Sequence, residues 1–138
     1  MTQLELYKIL QLRNEVFVVE QNCVYLDADN KDQSCYHLAG SDGDLLVAYT
    51  RLMPAGIAYK KEASIGRVVT SAAYRNTGIG RILMQKSIEQ CRLLFNDARI
   101  KIGAQLYLQS FYESFGFKQL SDIYLEDGIE HIEMLLLF

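Results

Sequence analysis

The chain reads as an α/β protein of the α+β kind, with a mixed central sheet flanked by helices. Three observations predict this. Residues Ser64 to Gln105 run strand, helix, strand: an apolar stretch Ser64 to Thr70, an amphipathic stretch Arg81 to Phe95, and a second apolar stretch Ile100 to Gln105. That order implies a parallel strand pair with a right-handed crossover. Turn signals at Ser41-Asp42-Gly43 and Asp127-Gly128 sit between extended patterns, so antiparallel neighbours flank the pair. Finally, 138 residues, half hydrophobic and 22% charged, suit one soluble domain over residues 1–138 with one core.

Each element has its own signal. Thr2 is a helix cap, and Glu5 completes a capping box. The helix runs to about Val18, with Leu6, Leu10, Arg13 and Phe17 on one face. Gln21 to Ser34 is polar and acidic and reads as a long loop. Tyr36 to Ala39 and Leu45 to Met53 are strands, and Pro54-Ala55-Gly56 ends the second. In Arg81 to Phe95 the residues Leu83, Met84, Ser87, Ile88, Cys91, Leu94 and Phe95 form one face, opposite Arg81, Gln85, Glu89 and Arg92. Leu108, Phe111, Tyr112 and Phe115 recur at helical spacing, and Gly116 is placed to stop that helix. Phe117 to Leu120, Ile123 to Glu126 and Ile132 to Phe138 are closing strands. The apolar tail Met134 to Phe138 is read as core, with pairing across a homodimer as the alternative, so the expected state is monomer or homodimer.

Composition excludes several classes. A net charge of −3 argues against a nucleic-acid partner, which calls for a basic face. No apolar run approaches the ~20 residues of a membrane span, and no basic-then-apolar export signal opens the chain. Cys23, Cys35 and Cys91 match no zinc spacing and read as reduced thiols. The expectation is a cytoplasmic protein with no metal and no membrane partner.

The segment Arg75-Asn76-Thr77-Gly78-Ile79-Gly80 lies between a strand and a helix start. The first N–H groups of a helix lack intrahelical partners, and the macrodipole adds partial positive charge there. Such a terminus is a ready anion site. Gly78 and Gly80 let a ligand approach the backbone, while Arg75 and Arg81 add charge. The loop is not a P-loop, because one residue separates its glycines and Arg81-Ile82 follow. Nor is it a dinucleotide fingerprint, which needs three spaced glycines.

Arg-x-x-Gly-x-Gly after a strand resembles the acetyl-CoA pyrophosphate loop of the GNAT acetyltransferases. Phe111-Tyr112-Glu113-Ser114-Phe115-Gly116-Phe117 begins 31 residues after Gly80 and is similar to that family's second motif. Leu12 to Cys23, then Tyr25, Asp27, Asp29, Asp32, His37, Gly66-Arg67-Val68, Gly103-Ala104-Gln105 and Glu126 to Ile132, resemble the small ElaA-like subgroup. The resemblance implies the GNAT fold, in which the parallel pair splays and holds acetyl-CoA. It departs from the subgroup in that Thr2 already reads as a helix cap, so the usual first strand is expected to be absent, truncated or replaced, and Gln105 stands where Asn is common.

The activity this implies is direct acetyl transfer from acetyl-CoA to a primary amine of a small molecule or peptide, releasing CoA. The cofactor contacts implied are Val68, Val69, Thr70, Arg75, Asn76, Thr77, Gly78, Ile79, Gly80, Arg81, Gln105 and Tyr112. The Val68 backbone would polarise the thioester carbonyl, and Thr70 would pair with the pantetheine arm. Tyr112 stands where the family's general acid stands, and a phenol is protonated at neutral pH. A base is needed because an alkylamine arrives protonated. Glu20, His37, Asp29 and His131 are the candidates; Glu20 is taken as catalytic, and Glu20, Asp29, His37, Arg67 and His131 as the acceptor-side residues. Arg67 stays charged and would orient a carboxylate. Glu20, Asp27, Asp29 and Asp32 close together suggest a negative field that attracts a cationic amine. The alternative is a non-catalytic acetyl-CoA sensor that keeps the loop and lacks turnover; Tyr112 argues against it.

Overall fold

Thr2 accepts the Glu5 N–H at 3.1 Å, and Glu5 Oε2 accepts the Thr2 N–H at 3.1 Å, so the capping box starts α1 (Gln3–Arg13). The computed structural model describes residues 1–96 and 99–138. Beyond Arg13 the helix widens into a π-helical stretch, Asn14–Glu20, and so runs two residues past the expected end. Its buried face is Ile9, Leu12, Arg13, Val16 and Phe17, packed on Tyr49 and Val69. Leu6, expected inside, is 38% exposed. Apolar residues surround this helix on all sides, so periodicity alone allowed either face; the sheet chose one.

The strands β1 (Tyr36–Asp42), β2 (Leu45–Met53) and β3 (Ser64–Thr70) form one antiparallel sheet. The β1–β2 turn is Gly43-Asp44, with Gly43 at φ 60°, and β1 extends past Ala39 by way of a bulge at Gly40/Ser41. Strand β2 is buried from Val47 to Met53 because a helix covers each of its faces. Tyr49 packs under α1, while Thr50 bonds Ser87 of α2 (Ile79–Phe95) at 2.7 Å. Ser87 also donates to the Leu83 carbonyl, which explains a fully buried hydroxyl on an apolar face. Helix α2 begins at Ile79, two residues ahead of expectation, and Leu94, placed on its buried face, is 41% exposed.

The second sheet is built on β7 (Ile129–Leu137). It pairs β4 (Arg99–Gln105) along one side and β5 (Lys118–Gln119) and β6 (Tyr124–Glu126) along the other. A turn with Asp127 and Gly128 both at positive φ joins β6 to β7, so β7 begins at Ile129 and not at Ile132. Strand β7 has neighbours on both sides, and Met134 and Leu136 of the apolar tail are core as expected, whereas Leu137 and Phe138 are 64% and 46% exposed. The short helix α3 (Gln109–Glu113) precedes Gly116, whose φ of 99° ends the turn.

The expected parallel pair, β3 and β4, is joined among the described residues by one bridge, Ala63 to Ile100, with Lys101 N–H on the Ala63 carbonyl at 2.9 Å. Beyond that point the two strands part. The mixed sheet is thus two antiparallel sheets hinged at a single parallel contact, and the gap between them is the mouth of the site.

Candidate active site

A cleft of about 650 Å³ opens where β3 and β4 part. Strand β3 contributes Arg67, Val68, Val69 and Thr70, β4 contributes Gln105, and Tyr112 of α3 lines it from below. Arg75, Asn76, Ile79 and Gly80 of the glycine loop line one end; Glu20 and His131 also face in.

The loop is shaped by left-handed residues: Asn76 at φ 62° and Gly78 at φ 85°. Gly78 is the N-cap of α2 and offers no side chain to its free N–H groups. A Cβ on Gly78 would meet nothing within 4 Å, so the space beside it is open. The donor set and the 17-residue helix behind it suit a pyrophosphate. Thr77, Gly78 and Arg81 do not line the cleft itself. Arg81 instead stacks on the Phe115 ring at 4.7 Å and bonds Ser114 Oγ at 2.9 Å.

A bulge distorts β3. Tyr49 faces Val69 and Arg51 faces Gly66, so Arg67 and Val68 lie opposite Thr50 without register partners. Arg67 takes φ 49°, an unusual conformation for a residue with a Cβ. Its guanidinium holds it there: Nε lies 2.9 Å from Asp27 Oδ1, off the hydrogen-bond axis, Nη2 bonds the Asp27 carbonyl at 3.1 Å, and the group stacks on Tyr25.

Two expected acceptor-side residues are corrected. Asp29 does not line the cleft; its carboxylate takes both Nη groups of buried Arg51 at 2.8 Å. His37 does not line it either. Its Nε2 lies 3.0 Å from the Asp32 carbonyl, which can only accept, so Nδ1 accepts the Tyr49 hydroxyl at 2.6 Å and no lone pair is free. The expected negative field also fails. Arg13 pairs with Asp27 at 2.9 Å and Asp32 at 2.8 Å, Arg51 with Asp32 at 2.9 Å, and Arg67 with Asp27 and Asp29. Three buried or half-buried guanidinium groups need three carboxylates, and the loop supplies them. Glu20 does face the cleft, but both its oxygens are engaged by Arg75, and this pairing holds its carboxyl below the usual range. That is a poor base.

Burial pushes the Asp29 and Asp32 carboxyls up, and the Arg51 and Arg13 hydrogen bonds more than reverse it, leaving both well below the usual range. Groups with depressed folded pKa contribute stability above their unfolded pKa, near ~4, and lose it as pH falls. The urea midpoint should therefore hold steady from about pH 7 to 5 and drop steadily below about pH 4. A midpoint that rises on acidification would contradict this cluster.

Burial pushes the Tyr112 phenol far up, with Tyr107 adding to the effect, so it carries its proton throughout the neutral range. Residues missed from sequence also line the cleft: Gln21, 3.4 Å from Gln105 Nε2, together with Cys23, Tyr107 and Glu126. Glu126 lay within a signature block from which only His131 was singled out. Among the described residues no group of His, Cys, Asp and Glu could hold a metal ion, and no helix is long and apolar enough to cross a membrane.

A splayed strand pair, a bulged β3 and a glycine-capped α2 over a buried phenol define an acyltransferase site. Residues 17–138 match the acetyltransferase (GNAT) domain family, and the chain belongs to that family. It is similar to protein ElaA of Escherichia coli K12, with 45% identity over 132 residues, 94% of this chain and 86% of that one. The crystal structure of Escherichia coli ElaA superposes with a TM-score of 0.91 at 42% identity, covering 99% of this chain and 92% of that one. An acyl-CoA N-acyltransferase from Pseudomonas aeruginosa does so with the same TM-score at 40% identity, covering 99% and 92%. An aminoglycoside 6'-N-acetyltransferase complexed with coenzyme A shares the fold, with a TM-score of 0.74 at 16% identity over 99% of this chain and 92% of that one.

Proposed function

We propose that this protein transfers an acetyl group from acetyl-CoA directly to a primary amine of a small molecule or peptide. One observation carries the reading: a buried, protonated Tyr112 lines the same cleft as the glycine loop at the start of α2. Acetyl-CoA supplies an already activated acyl group. The backbone at Asn76 to Gly80 would hold its pyrophosphate, and β3 from Val68 to Thr70 its extended arm. Val68, lacking a register partner beside the bulge, can aim its N–H at a developing oxyanion. Tyr112 gives its proton to the departing thiolate. The complex of the aminoglycoside enzyme with coenzyme A supports a coenzyme A donor for this fold.

Two measurements test this. CoA release should be seen with acetyl-CoA and at least one member of a primary-amine panel; binding of acetyl-CoA without release on any amine would make the protein a sensor. Gly80→Val should lower acetyl-CoA affinity by at least about tenfold, because a branched side chain enters the space a phosphate needs. A Cβ there meets only Phe111 Cζ, at 4.0 Å, so the melting temperature should change little. Unchanged affinity by calorimetry would remove the loop from the binding site.

A further inference from the structure

We infer that His131 is the general base and that His131 and Glu126 together receive the acceptor as an ammonium ion. This rests on the acetyltransferase reading above. His131 lies on β7 between Gln105 of β4 and Tyr124 of β6, and its ring stacks on Tyr124. Its side chain is nine-tenths buried and lines the cleft. Nδ1 sits 2.8 Å from the Ile129 carbonyl. A carbonyl only accepts, so Nδ1 carries the hydrogen. In the neutral ring, Nε2 is then a bare lone pair.

That lone pair lies 3.4 Å from Glu126 Oε2. A lone pair and a carboxylate oxygen facing each other are two acceptors with no donor between them. The contact is relieved by a proton on Nε2 or by an N–H group that bonds both. A primary ammonium has three such hydrogens and opposite charge. Glu126 also borders a second hollow of about 620 Å³, which Lys31, Tyr59, Asp122, Tyr124 and Glu133 line. Lys101 Nζ already lies 4.6 Å over the Tyr59 ring and 3.4 Å from Glu133, so the surfaces left for the cationic acceptor are Glu126 and the Tyr124 ring beside it. The titratable groups around the imidazole are Tyr124 and Glu126 on β6, Asp127 in the turn, Cys23, and Glu130 and Glu133 along β7; β4 presents the neutral Gln105. Burial and the two glutamates push the Tyr124 phenol up, so it contributes no charge at neutral pH.

The proton count closes. Nε2 takes one proton from the ammonium. The freed nitrogen pair forms the C–N bond at the thioester carbonyl, and the C–S bond breaks. The thiolate leaves with the Tyr112 proton, and the extra proton on the new amide nitrogen returns to Tyr112. Exposed Glu126 relays the imidazolium proton to solvent.

His131→Asn keeps an N–H donor for the Ile129 carbonyl and removes the base. Two probes separate the roles: 1,5-diaminopentane, cationic at neutral pH, and aniline, which arrives uncharged. In the variant the ratio of diaminopentane to aniline turnover should fall by about 10²-fold. In ¹⁵N NMR of the protein without acetyl-CoA, neutral His131 should show the Nδ1–H tautomer. Diaminopentane should shift its Nε2 signal, and Glu126→Gln should weaken that binding several-fold. An unchanged ratio, an Nε2–H tautomer or an unmoved Nε2 signal overturns the inference. CoA release with an unchanged ratio overturns only the role of His131; absence of CoA release with every amine overturns the acetyltransferase reading and this inference with it.

Discussion

Tyr112→Phe should lower turnover by roughly 10²-fold or more while leaving acetyl-CoA affinity within about twofold. The phenyl ring carries the packing. Tyr112 is 5% exposed and meets Phe111 and Phe117 edge-on at centroid distances of 5.3 and 6.0 Å, contacts that phenylalanine keeps. What is lost is the hydroxyl and its proton. Because burial raises the phenol's pKa, the loss of activity on deprotonating this acid, the alkaline limb of the wild-type profile, lies outside the usual assay range. The variant should therefore be slow across the whole range. A turnover within a few-fold of wild type, with CoA release read directly, would make Tyr112 a packing residue only.

The largest effect on stability should come from Arg13→Met. Arg13 is fully buried, with Nε on Asp27 at 2.9 Å, Nη1 on Asp32 at 2.8 Å and Nη2 on the Asp27 carbonyl at 3.2 Å. Burial works against its charge, but these partners outweigh burial and raise its pKa above the ordinary value. Removing one member of a buried pair leaves the other charge uncompensated, at a cost of about 3–5 kcal/mol. Arg67 still reaches Asp27, and Arg51 still reaches Asp32, so the low end, about 3 kcal/mol, is expected. That is a large part of the 5–15 kcal/mol typical of a domain. Urea denaturation measures it. Combining Arg13→Met with Asp27→Leu should cost less than the sum of the two single losses, since both remove the same buried pair. A single variant as stable as wild type would show the cluster to be energetically idle.

The same cluster marks the limit of sequence reading. Glu20, Asp27, Asp29 and Asp32, close together in sequence, looked like a negative field facing the substrate. In the fold, Asp27, Asp29 and Asp32 are spent on Arg13, Arg51 and Arg67, and Glu20 on Arg75. Those partners stand 14, 22, 40 and 55 residues away along the chain. No local pattern encodes a pairing across such distances. The two histidines show the same thing. His37 and His131 looked alike in sequence, yet one has both nitrogens occupied behind the sheet and the other keeps Nε2 toward the cleft.

Sequence alone determined β2 and β3 to the residue, the helix following the glycine loop to within two residues, and the family through two spaced motifs. These are readable because strand alternation, helical spacing and glycine turns act over a few neighbouring residues. Tertiary structure alone decided which face of α1 is buried, where β3 and β4 separate, and which charged groups remain free to act. Those outcomes depend on what lies opposite each residue in space, and a buried charge is compensated by whichever partner the fold brings within reach.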